Sequence, residues 1–457
     1  MPIKKVLVAN RGEIAVRIIR TCKELGIQTV AVFSEADRDS AHARLADRAV
    51  CIGPPSATKS YLQQATLIGV AQATGADAVH PGYGFLAENA EFAALCEAQG
   101  LAWIGPSAAL IRLMGNKVEA RKTAAQAGVP VIPGSETVLA DAAVAVQTAR
   151  KLGYPVLLKA SAGGGGRGMR RVNADDEMER SFDQARSEAQ SAFGDGSLYL
   201  EKFLVGVRHI EVQILGDARG TVVHLGERDC TLQRRHQKLV EEGPSSLSPE
   251  LRRQLTEAAV RLGEFSGYRG AGTVEFVFDP ATQQAYFIEV NCRIQVEHPV
   301  TEGITGIDIV AEQLRVAGGE GLSFVQADVR PRGHAIECRI NAEDAAENFR
   351  PCPGTLTAFS PPGGLGVRVD THCYSGYAVP PYYDSLLAKL VVTAPDRDQA
   401  VRRMRRALGE FVVAGIPTTI PFLLQVLDSP DFVCNRIHTR WIEETFMAGK
   451  IAEPSLP

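Results

Sequence analysis

Residues 272–291 read GTVEFVFDPATQQAYFIEVN. Apolar and aromatic residues fill both arms, and Asp279-Pro280-Ala281-Thr282-Gln283 supplies turn-forming types between them, so the stretch is expected to fold as an antiparallel hairpin. Centred on Thr282, that hairpin sets Glu275 opposite Glu289, and alternation of side chains puts Asn291 on the face of Glu289. Two carboxylates facing each other across a ladder repel. A bridging cation relieves them, and so does a solvated strand face. Oxygen-only donors of this kind suit Mg²⁺ or Mn²⁺ held partly by substrate phosphates, not zinc or copper. The same face is expected to run on through Arg293, Gln295 and Glu297, with Val290, Cys292, Ile294 and Val296 pointing the other way. A guanidinium beside a carboxylate suits an anion that must be held and deprotonated; an edge strand with surface ion pairs would look similar.

Upstream, Val156-Leu157-Leu158 leads into Lys159-Ala160-Ser161-Ala162-Gly163-Gly164-Gly165-Gly166-Arg167-Gly168, and Met169-Arg170-Arg171-Val172 follows. Both flanks are strand-like, so the loop closes a hairpin, and Lys159 precedes the glycines where a P-loop lysine would follow them. A flap over phosphates fits, because glycines let successive N–H groups face phosphate oxygens and let the flap open and close; a flexible surface loop is the alternative. The run Gln233-Arg234-Arg235-His236-Gln237-Lys238 reads as a solvated basic loop or an anion clamp. His209 and Arg339 read by default as structural groups.

The N-terminal part alternates strand and helix. Val6-Leu7-Val8-Ala9 precedes a helical face of Ile14, Ala15, Ile18, Ile19, Cys22 and Leu25, which stops at Gly26 before Thr29–Phe33. A second unit runs from Ala76–His80 through a helix near Glu88 to Gln99, stopped at Gly100, to Ala102-Trp103-Ile104. Residues 1 to about 115 are therefore expected to form a parallel, doubly wound sheet. Its first turn, Asn10-Arg11-Gly12-Glu13, lacks the Gly-x-Gly-x-x-Gly of dinucleotide folds, which removes the main support for an oxidoreductase. Beyond His334, Pro/Gly turns and a helix near Arg397 to Phe411 suggest a third, α+β domain.

The 457 residues, 45% hydrophobic and 22% charged with a net charge of −4, describe a multidomain globular protein without the field that would single out nucleic acid or a membrane as partner. Nine scattered cysteines, none spaced Cys-x-x-Cys, argue against a disulfide framework or structural zinc, and no apolar run is long enough to span a bilayer. A cytoplasmic location is expected.

Together these segments resemble the biotin carboxylase family of ATP-grasp enzymes, over nearly the whole chain from Val6 to about residue 445. The anchors are His80-Pro81-Gly82-Tyr83-Gly84-Phe85-Leu86, the Gly-rich flap, Glu227-Arg228-Asp229-Cys230, Gln233 to Lys238, Arg293-Ile294-Gln295-Val296-Glu297-His298-Pro299 and Glu337-Cys338-Arg339-Ile340-Asn341-Ala342-Glu343-Asp344. The resemblance implies an N-terminal doubly wound domain over 1–115, an ATP-grasp domain over 116–330 with a mobile lid at about 131–203, a C-terminal α+β domain over 331–446, and a tail over 447–457. It also implies that Lys117, Lys159, Gly165, Gly166, Glu201, Lys202, Phe203, Leu204, His209, Gln233 and His236 surround ATP, with Glu275, Glu289 and Asn291 on the metal. Lys238, Arg293, Gln295 and Val296 would position bicarbonate, Glu297 would be its base, and Tyr83, Gly84 and Arg339 would meet biotin.

A biotin attachment hairpin presents its lysine in a Met-Lys-Met type sequence, and none of the six methionines is followed by Lys. The expected partners are a separate biotin carboxyl carrier protein and a carboxyltransferase, as in acetyl-CoA carboxylase, and the family implies a homodimer. Cys292, Cys352 and Thr419 depart from the residues the family leads one to expect. Another ATP-grasp ligase joining a carboxylate to an amine would share the flap and hairpin without needing Arg293 to Glu297 or Arg339. A silent nucleotide-binding regulatory subunit would be expected to lack Glu297, Arg293 or a metal carboxylate.

Overall fold

The computed structural model describes residues 2–161 and 168–448, so Gly165, Gly166 and the end of the tail lie outside the described residues. Four strands, β1 (Lys5–Val8), β2 (Gln28–Phe33), β3 (Arg48–Cys51) and β4 (Ala78–His80), join β5 (Ala102–Trp103) in a parallel sheet ordered β3-β2-β1-β4-β5. Val6, Leu7 and Val8 are wholly buried, as a parallel strand covered on both faces requires. The helix Gly12–Glu24 buries Ile14, Ala15, Ile18, Ile19 and Cys22 of the face its periodicity marks, but Leu25 follows the helix as its C-cap and is exposed. Gly26 and Gly100, both at positive φ, follow the helices Gly12–Glu24 and Ala90–Ala98.

A three-stranded sheet, ordered β7-β6-β8, contains β6 (Val156–Ala160), β7 (Arg170–Val172) and β8 (Leu198–Lys202). β6 and β7, the strands on either side of the Gly-rich segment, pair antiparallel with Val156 opposite Val172, as the expected hairpin requires. Val156, Leu158, Leu198 and Leu200 pack with Phe182, Ala185 and Ala145 of two helices in a core of their own.

The largest sheet has eight antiparallel strands. It begins β13-β12-β9-β10-β11-β14, where β9 is Arg208–Gly216, β10 Val222–Arg234, β11 Gln237–Gly243, β12 Gly270–Asp279, β13 Gln284–Asn291 and β14 His334–Asn341. It ends with strands Leu386–Ala394 and Val367–Thr371. One sheet thus runs from the central region into the C-terminal one, with β14 pairing β11 on one side and Leu386–Ala394 on the other. Helix Pro249–Phe265, capped by Ser248 and started by Pro249, buries Leu255, Ala258, Ala259 and Leu262 against Ile210, Val212 and Ile214 of β9. The same core reaches Leu7 and Val79, so the N-terminal sheet is cemented to the central one. No helix among the described residues is long and apolar enough to cross a membrane.

The β12–β13 hairpin carries a correction to its sequence reading. Its turn pairs Asp279 with Gln284, and the register holds as far as Phe276 opposite Phe287. Extended without a break, it would place Glu275 opposite Ile288. An irregularity follows Phe276, so Glu275 faces Glu289 and Thr273 faces Asn291. Ile288 is the extra residue, a bulge that re-aims the carboxylate behind it. The expected strand through Glu297 also stops early: β13 ends at Asn291, and Glu297 lies at the N-terminus of helix His298–Thr305.

Candidate active site

Charged side chains along the inner strands of the large sheet converge on Lys238. Its Nζ donates to Glu297 Oε1 at 2.5 Å, Glu211 Oε2 at 2.6 Å and Glu275 Oε1 at 3.2 Å. Glu211 sits on β9, Lys238 on β11 and Glu275 on β12, while Glu297 comes from the turn after β13. Strand alternation explains the β9 contribution, because His209, Glu211 and Gln213 share a face between apolar Ile210, Val212 and Ile214. Behind them Arg228, fully buried, donates to Glu211 at 2.6 Å, Gln213 at 2.9 Å and Thr301 at 2.8 Å. A buried guanidinium is tolerable only when its donors are so satisfied.

Glu297 is wholly buried, and its other oxygen accepts from Arg339 at 2.9 Å. Burial disfavours its ionisation, yet Lys238, Arg339 and Arg228 outweigh that and hold its carboxyl well below the usual carboxylate range. Glu275 follows the same logic: burial opposes its charge, but Lys238 and His209 keep it ionised. His209 Nε2 lies 3.1 Å from Glu275, and that carboxylate raises the imidazole above its ordinary value despite the opposing effect of burial.

The paired carboxylates of the hairpin are thus each met by cations. Glu289 lies 3.1 Å from Lys117 Nζ, and Asn291 Nδ2 donates to Glu275 at 2.8 Å. Glu289, with about 26% of its side chain exposed, is the more open of the two acids. Glu275, Glu289 and Asn291 together present oxygen donors and two negative charges to one face, a set that fits a hard divalent cation.

Arg293 is held on several sides: Nε donates to Glu88 at 2.9 Å, and its terminal nitrogens donate to Gln295 Oε1 at 3.0 Å and Asn291 Oδ1 at 3.1 Å. Val296 offers its carbonyl to the buried Lys389 at 2.9 Å. A cavity of about 520 Å³ opens beside this strip, lined among others by Tyr83, Lys238, Val296 and Arg339. Tyr83 and Gly84 border a second, smaller cavity, and the Tyr83 hydroxyl donates to Glu13.

A second cluster lies on β6 and β8. Lys159 and Arg121 both donate to Glu201, at 2.9 and 2.5 Å, and although burial opposes it, the two cations lower that carboxyl. The backbone N–H groups of Lys202 and Phe203 donate to the carbonyls of Pro133 and Pro155, while Leu204 packs with Ile132, Val207 and Val277. Gln233 pairs with Lys238 across the β10–β11 turn, whose tip residues Arg235 and His236 take positive φ.

Glu211, Arg228, Glu241, Glu88 and Arg121 are among the charged groups to which sequence reasoning assigned no role, Arg228 having been read only within the Glu227-Arg228-Asp229-Cys230 anchor. The signal existed for β9, where His209, Glu211 and Gln213 alternate with apolar residues, and for β10, where the consecutive Glu227, Arg228 and Asp229 lie inside a long strand. Glu88 and Arg121 had none, since their partners lie far away in the chain. The departures have structural settings: the Cys292 N–H donates to Glu88 at 2.9 Å, and Cys352 lines the larger cavity. Thr419 bridges the Asn341 N–H at 2.9 Å and the Arg339 carbonyl at 3.0 Å.

Comparison with known proteins follows the same division. Residues 2–111 match the family described as biotin carboxylase, N-terminal domain; residues 116–325 match carbamoyl-phosphate synthase L chain, ATP binding domain; and residues 337–444 match biotin carboxylase C-terminal domain. Biotin carboxylase 1 of Bacillus subtilis is 53% identical, covering 98% of this chain and 100% of the relative. The biotin carboxylase of Pseudomonas aeruginosa is 52% identical over 97% of this chain and 98% of the relative. Among solved structures, the biotin carboxylase domain dimer of the Hydrogenobacter thermophilus 2-oxoglutarate carboxylase, in complex with MgADP and bicarbonate, superposes with a TM-score of 0.95. It is 50% identical and covers 99% of this chain and 100% of its own.

Proposed function

The chain belongs to the biotin carboxylase family of ATP-grasp ligases, and on that premise we propose that its strip of buried carboxylates and cations carboxylates a biotin presented by a separate carrier protein. The observation that carries this reading is Glu297, a buried carboxylate held ionised between Lys238 and Arg339 beside a cavity. Neither rival needs that arrangement: an amine ligase has no bicarbonate to deprotonate, and a silent regulatory protein has no reason to bury three acids around one lysine.

In this reading bicarbonate enters among Lys238, Arg293, Gln295 and the Val296 backbone. An arriving anion shares the cations that depress Glu297, so the carboxylate gains basicity where a proton is delivered. Glu297 takes that proton and bicarbonate attacks the γ-phosphate of ATP, giving carboxyphosphate and ADP. Lys117, Lys159, His209 and the flap glycines Gly165 and Gly166 meet ATP phosphates or ribose, with Glu201, Lys202, Phe203 and Leu204 along the adenine and Gln233 and His236 nearby. Glu275, Glu289 and Asn291 would hold Mg²⁺, or Mn²⁺, which when bound neutralises charge on the phosphates.

Carboxyphosphate breaks down to CO₂ and phosphate, the phosphate takes the ureido proton of biotin, and the deprotonated nitrogen adds to the CO₂ to give carboxybiotin and hydrogen phosphate. Neutral Glu297 no longer competes for Arg339, whose guanidinium then faces the enolate-like oxygen of biotin. Tyr83 and Gly84 border that ring. A homodimer working with a carrier and a carboxyltransferase, as in acetyl-CoA carboxylase, completes the proposal, with the cytoplasm as its setting.

The division of roles is tested with Arg339→Ala, by measuring bicarbonate-dependent ADP release and biotin carboxylation in parallel. The reading expects ATP cleavage to persist while carboxylation is lost. An equal fall in both would remove Arg339 from the biotin step.

A further inference from the structure

Behind Arg339 lies a carboxyl pair that the reading above does not use. Glu241 on β11 and Glu337 on β14 are direct partners across the antiparallel ladder, and both are wholly buried. Glu241 Oε1 accepts from Arg339 Nε at 2.6 Å. Among the described residues, Oε2 of Glu241 and both oxygens of Glu337 have no hydrogen-bond partner.

Opposed residues in such a ladder have Cβ atoms about 4.5–5.5 Å apart, so two full negative charges here would repel strongly in a low-dielectric interior. An ionised carboxylate without a donor is also the state that burial penalises most. One proton on the pair removes both problems. Burial, reinforced by the charge of Glu241, lifts Glu337 well above the usual range against the pull of Lys389. Burial likewise pushes Glu241 up to about 7, with Arg339 and Lys238 opposing the rise and Glu297 adding to it. Of the cations facing the pair, Lys238 is engaged with Glu211 and Glu297, and Lys389 with Glu13 at 3.1 Å and the Val296 carbonyl.

We propose that Glu241 and Glu337 form a one-proton pair in which protonated Glu337 leaves Glu241 ionised to position the Arg339 guanidinium for the biotin oxygen. This rests on the assignment of Arg339 to biotin. Arg339 has two carboxylate partners, and the one to Glu297 weakens once Glu297 takes a proton. Glu241 is the partner that stays, holding the Nε edge while a terminal nitrogen turns to the substrate. Glu241 is thus a positioning residue, and Glu337 touches neither substrate nor Arg339.

The test compares Glu241→Gln, Glu241→Asp, Glu337→Gln and Arg339→Ala in the whole chain, reading carboxybiotin formed per ADP released. Gln at 241 keeps the shape and removes the charge, so this coupling ratio is expected to fall about tenfold or more. Its pH dependence between about pH 6 and about pH 8 is expected to flatten. Asp at 241 keeps the charge and lowers the ratio only about threefold. Gln at 337 mimics a neutral acid, so the ratio stays within about twofold of the parent. Equal losses in the two Gln variants would overturn the proposal, because Glu337 would then act as an anion. A parental ratio and pH profile in Glu241→Gln would overturn it as well. Should Glu241→Gln fail to fold, Glu241→Asp and Glu337→Gln still decide, since the first must lower the ratio and the second must not. If Arg339→Ala keeps full coupling, the assignment of Arg339 itself fails and the pair with it; if Arg339→Ala uncouples and Glu241→Gln does not, only the pair fails.

Discussion

Replacing Glu297 by Gln removes one negative charge from the centre of the site and almost no volume. The amide oxygen can still accept from Lys238, which lies 2.5 Å from Oε1, but the NH₂ group cannot accept from Arg339. Breaking a buried ion pair usually destabilises by about 3–5 kcal/mol. Here both cations keep other partners, Lys238 in Glu211 and Glu275 and Arg339 in Glu241, so the loss is expected nearer 1–3 kcal/mol and the fold survives. The chemical effect is larger. A general base contributes about 10²–10⁴-fold, which is about 3–5 kcal/mol of transition-state stabilisation. Bicarbonate-dependent ADP release should fall by that factor, while the Kd for MgATP, measured by calorimetry, stays within about threefold of the parent. A rate within about tenfold of the parent would refute the base assignment. So would a comparable loss of nucleotide affinity, because the charge would then be serving ATP and not bicarbonate.

Glu275→Gln and Glu289→Gln should each raise the Mg²⁺ concentration needed for half-maximal ATP cleavage, since each removes a charged oxygen donor; an unchanged requirement in both would leave the hairpin acids structural. Glu242 joins His334 and Arg397 at 3.0 and 2.7 Å, and although burial opposes it, these hydrogen bonds lower its carboxyl from 4.5 to about 2. A depressed carboxyl stabilises above its unfolded value and loses that contribution as pH falls through its folded one. Glu242→Gln should therefore destabilise by about 3 kcal/mol near neutrality, and the difference in urea unfolding should shrink as pH drops from about 4.5 to about 2. Thr419→Val leaves the Asn341 N–H without its acceptor and is expected to destabilise by about 1–3 kcal/mol; a neutral result in thermal unfolding would deny Thr419 its bridging role.

The strand and helix pattern of the first hundred residues was readable because both faces of that sheet are covered, which makes its strands continuous apolar runs. β3 escaped, since Arg48–Cys51 is mostly exposed and too short to show a period. Glu275 and Glu289 were placed opposite each other by a centre of symmetry that the actual turn does not have. The bulge at Ile288 supplies the missing residue, and bulges leave no mark on alternation until the register is known. Arg293, Gln295 and Glu297 do come close together, but through an irregular segment and a helix start, so period-two reasoning grouped them by a path the chain does not take. The counter-ions were the least legible. Glu88 and Glu241 gain their meaning from partners 205 and 98 positions away, which spacing within a strand cannot reveal.

The central claim is that this chain moves a carboxyl group from bicarbonate to a carrier-borne biotin at the expense of ATP. Incubating the purified chain with MgATP, isotopically labelled bicarbonate and a biotinylated carrier protein tests it directly, with ADP and acid-labile label on the carrier measured together. The account predicts label on biotin in step with ADP, abolished when either bicarbonate or the biotin group is withheld. ADP released without bicarbonate, or a carrier that stays unlabelled while ATP is consumed, would contradict it.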